Sequence, residues 1–203
     1  MKGFQKIGGC AAVIQGLAFV ALLLIIFGFE IPQGLGPGAD TAKEIAVAAS
    51  SPTPFLITNL LVMLFSITII LITLALRERM QDGAPNQMRL AVLAASISSA
   101  LFLANGVVSF TGYPPIVALP DTAAVSAYRG LSAVTNGLLL AAIFAAGLNL
   151  RLIGWAALST KGLPAQLSYL LVLAGVVAVL SFVVSIFGLV GPVLNVVFSL
   201  WLG

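Results

Sequence analysis

Long apolar runs alternate with short polar segments along the whole chain, and no charged residue lies deep in any run, Arg129 standing at the edge of one. The runs cover residues 9–29, 54–76, 90–112, 128–150 and 165–186, with a shorter one at 187–203. A bilayer core of about 30 Å takes about 20 residues of helix, which the first five match. They are too long and too uniformly apolar for the alternating strands of a barrel, and helices satisfy their own backbone groups in lipid. Prolines at 52, 54 and 164 sit where helices open. The last run is broken by Gly188, Gly191 and Pro192. It reads as a tight hairpin followed by a short sixth span ending at Trp201, an interfacial anchor; a re-entrant segment is the alternative. The pattern predicts an all-α integral membrane protein, a single bundle of six helices, or five plus a re-entrant piece, over residues 1–203.

The polar segments set an orientation. Lys2, Lys6, Arg77, Arg79, Arg89, Arg151 and Lys161 collect on one side, and only Lys43 and Arg129 on the other, with Glu30, Asp40, Glu44 and Asp121. The positive-inside rule then puts both termini in the cytoplasm, in a bacterial plasma membrane. Residues 30–53 form the longest outer loop. It starts with turn-forming Pro and Gly, and Thr41 to Glu44 has the spacing of a capping box, which predicts a short helix there. Residues 152–158 are expected to prolong the fourth helix, with Trp155 at headgroup level.

Composition agrees. The chain is 61% hydrophobic and 7% charged, against roughly 25% charged in soluble domains. The net charge of +3 lies in loops, so it marks orientation and gives no sign of a nucleic-acid partner. There is no histidine and one cysteine, Cys10, read as a small residue at a helix start. These absences speak against His-ligated haem, a protein-ligated metal, His-based hydrolysis and a CxxC relay. With no ionisable residue deep in a span, proton pumping and intramembrane aspartyl proteolysis are not expected either. The chain is expected not to be an enzyme, and its cofactor is unknown; a bound lipid or pigment is compatible with it.

What remains inside the spans is hydroxyls and amides. Asn59, Ser66 and Thr73 recur every seven residues, as do Ala91, Ser98, Asn105 and Gly112. Such stripes face a neighbour along left-handed helix pairs, as does the small-residue series Ala133, Gly137, Ala141, Ala145. Asn59, Asn105, Asn136 and Asn195 also share a depth, roughly 8–12 Å below the outer surface at about 1.5 Å per residue. They are the candidate ligand-binding residues, as one amide layer. Arg77, Arg79 and Arg89 are expected to contact anionic lipid headgroups. Glu30 and Arg129 are placed to pair at the outer rim, with Asp121 as a competitor.

Residues 154–164, Gly-Trp-Ala-Ala-Leu-Ser-Thr-Lys-Gly-Leu-Pro, are followed by Leu-Ser-Tyr-Leu-Leu-Val-Leu-Ala-Gly at 167–175 and Phe-Ser-Leu-Trp-Leu at 198–202. With Pro-Thr-Pro-Phe at 52–55, the Arg77 loop and Tyr-Arg-Gly-Leu at 128–131, this resembles the bacterial six-span membrane protein family called domain of unknown function forty-three eighty-six. The likeness runs from about residue 50 onward. It implies six helices in a bacterial plasma membrane and transfers no catalytic residue.

The function expected from these features is that of a non-catalytic structural or accessory subunit of a larger membrane complex, for instance a respiratory or photosynthetic one. Its partners would be membrane lipids and other membrane subunits. The alternative is a binder or facilitator of a lipid, carotenoid, quinone or small neutral solute through the Asn layer.

Overall fold

The computed structural model describes residues 2–35 and 39–181. Among them are six α-helices and no strand: α1 (Lys2–Ile25), α2 (Thr41–Ser50), α3 (Pro52–Met80), α4 (Pro85–Val117), α5 (Asp121–Thr160) and α6 (Ala165–Ser181), with a π-helical turn, Ile26–Glu30, ending α1. Four stretches are long and apolar enough to cross a membrane: Gly3–Glu30, Pro52–Met80, Pro85–Val117 and Thr122–Thr160. Residues 182–186, the sixth run 187–203 with its re-entrant alternative, and Asn195 lie outside the described residues.

α1, α3, α4, α5 and α6 each sit where an apolar run predicts a helix, and α1, α3, α4 and α5 extend beyond the runs. Hydropathy marks the part that suits lipid, whereas helix ends are set by capping. Pro52 and Pro85 occupy first turns, where the missing N–H costs nothing. α4 ends just after Pro114 and Pro115, which offer no N–H to the carbonyls one turn back. α5 runs unbroken past Arg129 and Arg151, both exposed. It stops only at Lys161, which takes a left-handed conformation ahead of Gly162 and Pro164. At 40 residues it is about 60 Å long, twice the bilayer core. The short helix of the long loop is present as α2, but its cap is one residue earlier than the capping box implies. The Asp40 side chain accepts from the Ala42 amide at 3.1 Å, so Asp40 and not Thr41 caps it.

The helices pack in the order α1, α3, α4, α5, α6, each against the next, and α2 lies across one end on α3, α4 and α5. That end carries Glu30, Glu44, Tyr113 and Tyr128; the opposite end carries Arg77, Arg79, Arg89 and Arg151. Near the arginine end Ala12, Leu76, Met80, Met88, Ala157 and Leu171 belong to one buried apolar cluster. Further along, Phe19 of α1 stacks on Phe65 of α3 at a centroid distance of 4.2 Å.

Both seven-residue stripes are interior over most of their length: Asn59, Ser66 and Thr73 on α3, and Ala91, Ser98 and Asn105 on α4, are buried, while Gly112 is half-buried. The Ser99 hydroxyl donates to the Ser66 carbonyl at 2.6 Å, and Ser98 donates to the Ala142 carbonyl of α5 at 2.9 Å. The series on α5 is used only in part. Ala145 is buried, but Ala133 and Gly137 are exposed. The close approach on α5 occurs instead at Gly147, against Gly175 of α6. A Cβ at Gly175 would lie 2.5 Å from the Gly147 carbonyl oxygen and 2.6 Å from the Arg151 amide nitrogen.

Candidate functional site

Six structural pieces converge at the acidic end around a cavity of about 230 Å³. The π-helical turn brings Glu30 to its wall, and such turns recur at functional sites. Gly34, at φ +68°, reverses the chain so that the Leu35 amide returns to the Glu30 carbonyl at 2.9 Å and Leu35 closes one side. Capping by Asp40 starts α2 so that Glu44, one turn in, reaches the same space. α3 contributes Phe55, Thr58 and Asn59, positions three and four apart that share a helix face. Ser109 and Tyr113 of α4, again four apart, and Tyr128 of α5 complete the lining.

The aromatic rings form a continuous wall. Phe29 meets Phe55 edge-on at 6.3 Å, Phe55 meets Tyr113 at 6.0 Å, and Tyr113 meets Tyr128 edge-on at 5.5 Å. The two tyrosine hydroxyls are hydrogen-bonded at 3.0 Å, and Glu44 stands beside that of Tyr128. Glu30 and Glu44 are half-buried and close enough to repel each other. Among the described residues no cation pairs with either carboxylate. Arg129 is exposed and does not pair with Glu30, and Lys43 is exposed with its ammonium against Gly34. The expected Glu30–Arg129 pair is therefore absent, because Glu30 turns toward the α2 side of the rim. The Thr58 hydroxyl oxygen is buried without a partner.

Two uncompensated carboxylates in a partly dry, aromatic-walled cleft concentrate negative potential. Ring faces add attraction for a cation, about 0.5–2 kcal/mol depending on desolvation. The described residues hold no cluster of three His, Cys, Asp or Glu side chains able to hold a metal. The cavity is smaller than the roughly 300–1,000 Å³ of drug-sized sites, so it suits one compact group.

Of the four candidate asparagines, Asn59 lines this cavity. Asn105 is buried on the neighbouring helix and donates from Nδ2 to the Thr135 carbonyl at 2.7 Å. Asn136 is exposed on α5, so it does not join them, because the residue that α5 turns toward α4 here is Thr135. Replacing Asn105 by Ala is expected to lower stability by about 0.6–2 kcal/mol, and Asn136 by Ala to leave it unchanged. Thermal midpoints of the two purified variants check this; equal midpoints would remove the structural role of Asn105. Of the arginines, Arg77 is half-buried in the last turn of α3, while Arg79 and Arg89 are exposed on either side of the α3–α4 turn.

Asn149 escapes a reading by apolar runs, because it stands at the end of the fourth run beside Arg151. In the folded chain it is buried in the middle of three helices. Its Nδ2 donates to the Thr73 hydroxyl at 3.1 Å and to the Ala91 carbonyl at 2.9 Å. Glu44, Thr58, Tyr113 and Tyr128 were also missed as site residues; their signal in sequence is only that each lies within a helical turn or two of an outer rim.

A protein-family model described as Domain of unknown function (DUF4386) matches residues 14–203. The likeness thus extends well before residue 50. Comparison with curated proteins and with solved structures finds no match.

Proposed function

The chain belongs to the DUF4386 family, and we propose that its role is to bind a small organic cation, through an ammonium group, in the cavity at its acidic end. The observation that carries this is the pair Glu30 and Glu44, without a cationic partner among the described residues and walled by Phe55, Tyr113 and Tyr128. The ammonium can belong to a free amine or to a zwitterionic lipid headgroup. By the distribution of basic residues the cavity opens on the outer face of a bacterial plasma membrane, with the chain termini in the cytoplasm. Arg77, Arg79 and Arg89 then meet anionic headgroups on the inner face. The ligand is held by the two carboxylates and the aromatic wall.

Equilibrium binding of alkylammonium ions and of their uncharged isosteres to the purified protein tests this. The cations are expected to bind at least tenfold more tightly, with affinity falling as salt rises. Equal binding of charged and neutral members would refute it.

A second reading, an accessory subunit of a larger complex, is supported by a different observation. On the outer half of α5 the described residues leave Gly130, Ala133 and Gly137 uncovered, with open space above both glycines. Small-residue faces of this kind let another helix approach closely.

A further inference from the structure

Between α1, α3 and α5 lies a small cavity of about 30 Å³, lined by Gln15, Ile69, Ile72, Thr73, Ala146, Asn149, Leu150 and Ile153. Its position is the buried middle of the bundle toward the arginine end, well apart from the acidic cavity. Gln15 is 3% exposed, and its Oε1 has no hydrogen-bond partner. An orphaned acceptor at that burial is costly and calls for a donor.

We infer that one structural water molecule occupies this cavity and joins α1 to the Thr73–Asn149 pair. The volume exceeds the roughly 10–15 Å³ that a single water needs. The hydrogen-bond accounting leaves one place for it. Both Nδ2 protons of Asn149 are spent, on the Thr73 hydroxyl and the Ala91 carbonyl. The Thr73 proton reaches Asn149 Oδ1 only at 3.5 Å, so that acceptor is poorly served as well. A water that donates to Gln15 Oε1 and Asn149 Oδ1 and accepts from Thr73 satisfies all three groups, the usual number for a buried water.

A metal cation fits the same oxygens less well. The lining has no carboxylate, and an uncompensated charge in a low-dielectric interior is expensive. An apolar occupant would leave the Gln15 oxygen orphaned. The water has a consequence for packing, because α1 lies along α3 and not along α5. A bridged water is then the polar tie between α1 and the far side of the cavity.

An experimental structure at a resolution that shows ordered solvent is the direct test, combined with thermal midpoints in sodium and in potassium buffers. The expected result is one peak within hydrogen-bond distance of Gln15 Oε1, and midpoints that do not depend on sodium. In Gln15→Met, which fills the space without the acceptor, the peak is expected to vanish while the protein stays folded. A dry cavity with Gln15 turned to a protein partner overturns the inference, and so does a sodium-dependent rise in the wild-type midpoint that Gln15→Met abolishes. A peak that persists in Gln15→Met likewise overturns the role given to Gln15.

Discussion

Changing both Glu30 and Glu44 to glutamine is expected to weaken binding of an organic cation by roughly 30- to 1,000-fold. At an effective dielectric constant near 20, a unit charge about 4 Å from a carboxylate gains about 4 kcal/mol. Both side chains are only half-buried, so solvent and salt reduce this to about 1–2 kcal/mol each. Two such losses give the stated range. Glutamine preserves shape and hydrogen bonding, so the loss belongs to charge. Folding should survive, because the change also removes the repulsion between the two carboxylates. The salt dependence of any residual binding should flatten. Glu78→Gln, at the arginine end of α3, serves as the control and should bind as the parent does. If the double variant bound cations with parental affinity, the acidic cavity would not be the site.

The largest structural effect is expected at Gly175. A leucine there has backbone on both sides: the Gly147 carbonyl and the Arg151 amide both stand within 2.6 Å of the first added carbon. Overpacking of a core costs typically 1–3 kcal/mol when side chains can move aside. Here the obstacles are main-chain atoms of α5, so α6 has to lift away, and the cost should reach or pass the top of that range. Gly175→Leu is therefore expected to yield protein that is poorly dispersed in mild detergent, with a strongly lowered thermal midpoint. Gly137→Leu is the counterpart, since a Cβ at Gly137 meets nothing within 4 Å among the described residues. It should behave as the parent. Equal behaviour of the two variants would contradict the packing of α5 on α6.

The helical, apolar character of the chain was plain from the spacing of its runs, and so was the inward face of α3 and α4. Seven-residue recurrence reports a helix face directly, so Ser66, Thr73, Ser98 and Asn105 could be placed without coordinates. Other features depend on which helices meet. Gly147 and Gly175 lie far apart in the chain, and each alone looks like any glycine in a membrane helix. Asn149 was hidden by a span boundary drawn where Arg151 begins, although an exposed arginine can stay on a helix by extending its charge toward the interface. The acidic cavity is harder still. Glu30, Glu44, Tyr113 and Tyr128 come from four elements, and only the π-helical turn, the Gly34 reversal and the Asp40 cap bring them together. Helix rise sets an expected depth for the candidate asparagines, but depth does not fix direction: Asn59 faces the cavity while Asn136 faces outward.

Cation binding at the acidic end is tested most directly by the composition of the particle released from native membranes under mild solubilisation, read by intact-complex mass spectrometry. The account predicts one or a few copies of this chain carrying a small ammonium-bearing molecule, and loss of that molecule when Glu30 and Glu44 are both glutamine. Particles in which the chain sits in fixed ratio with other proteins, and in which no cationic molecule is retained by the parent, would contradict it and establish the accessory-subunit reading instead.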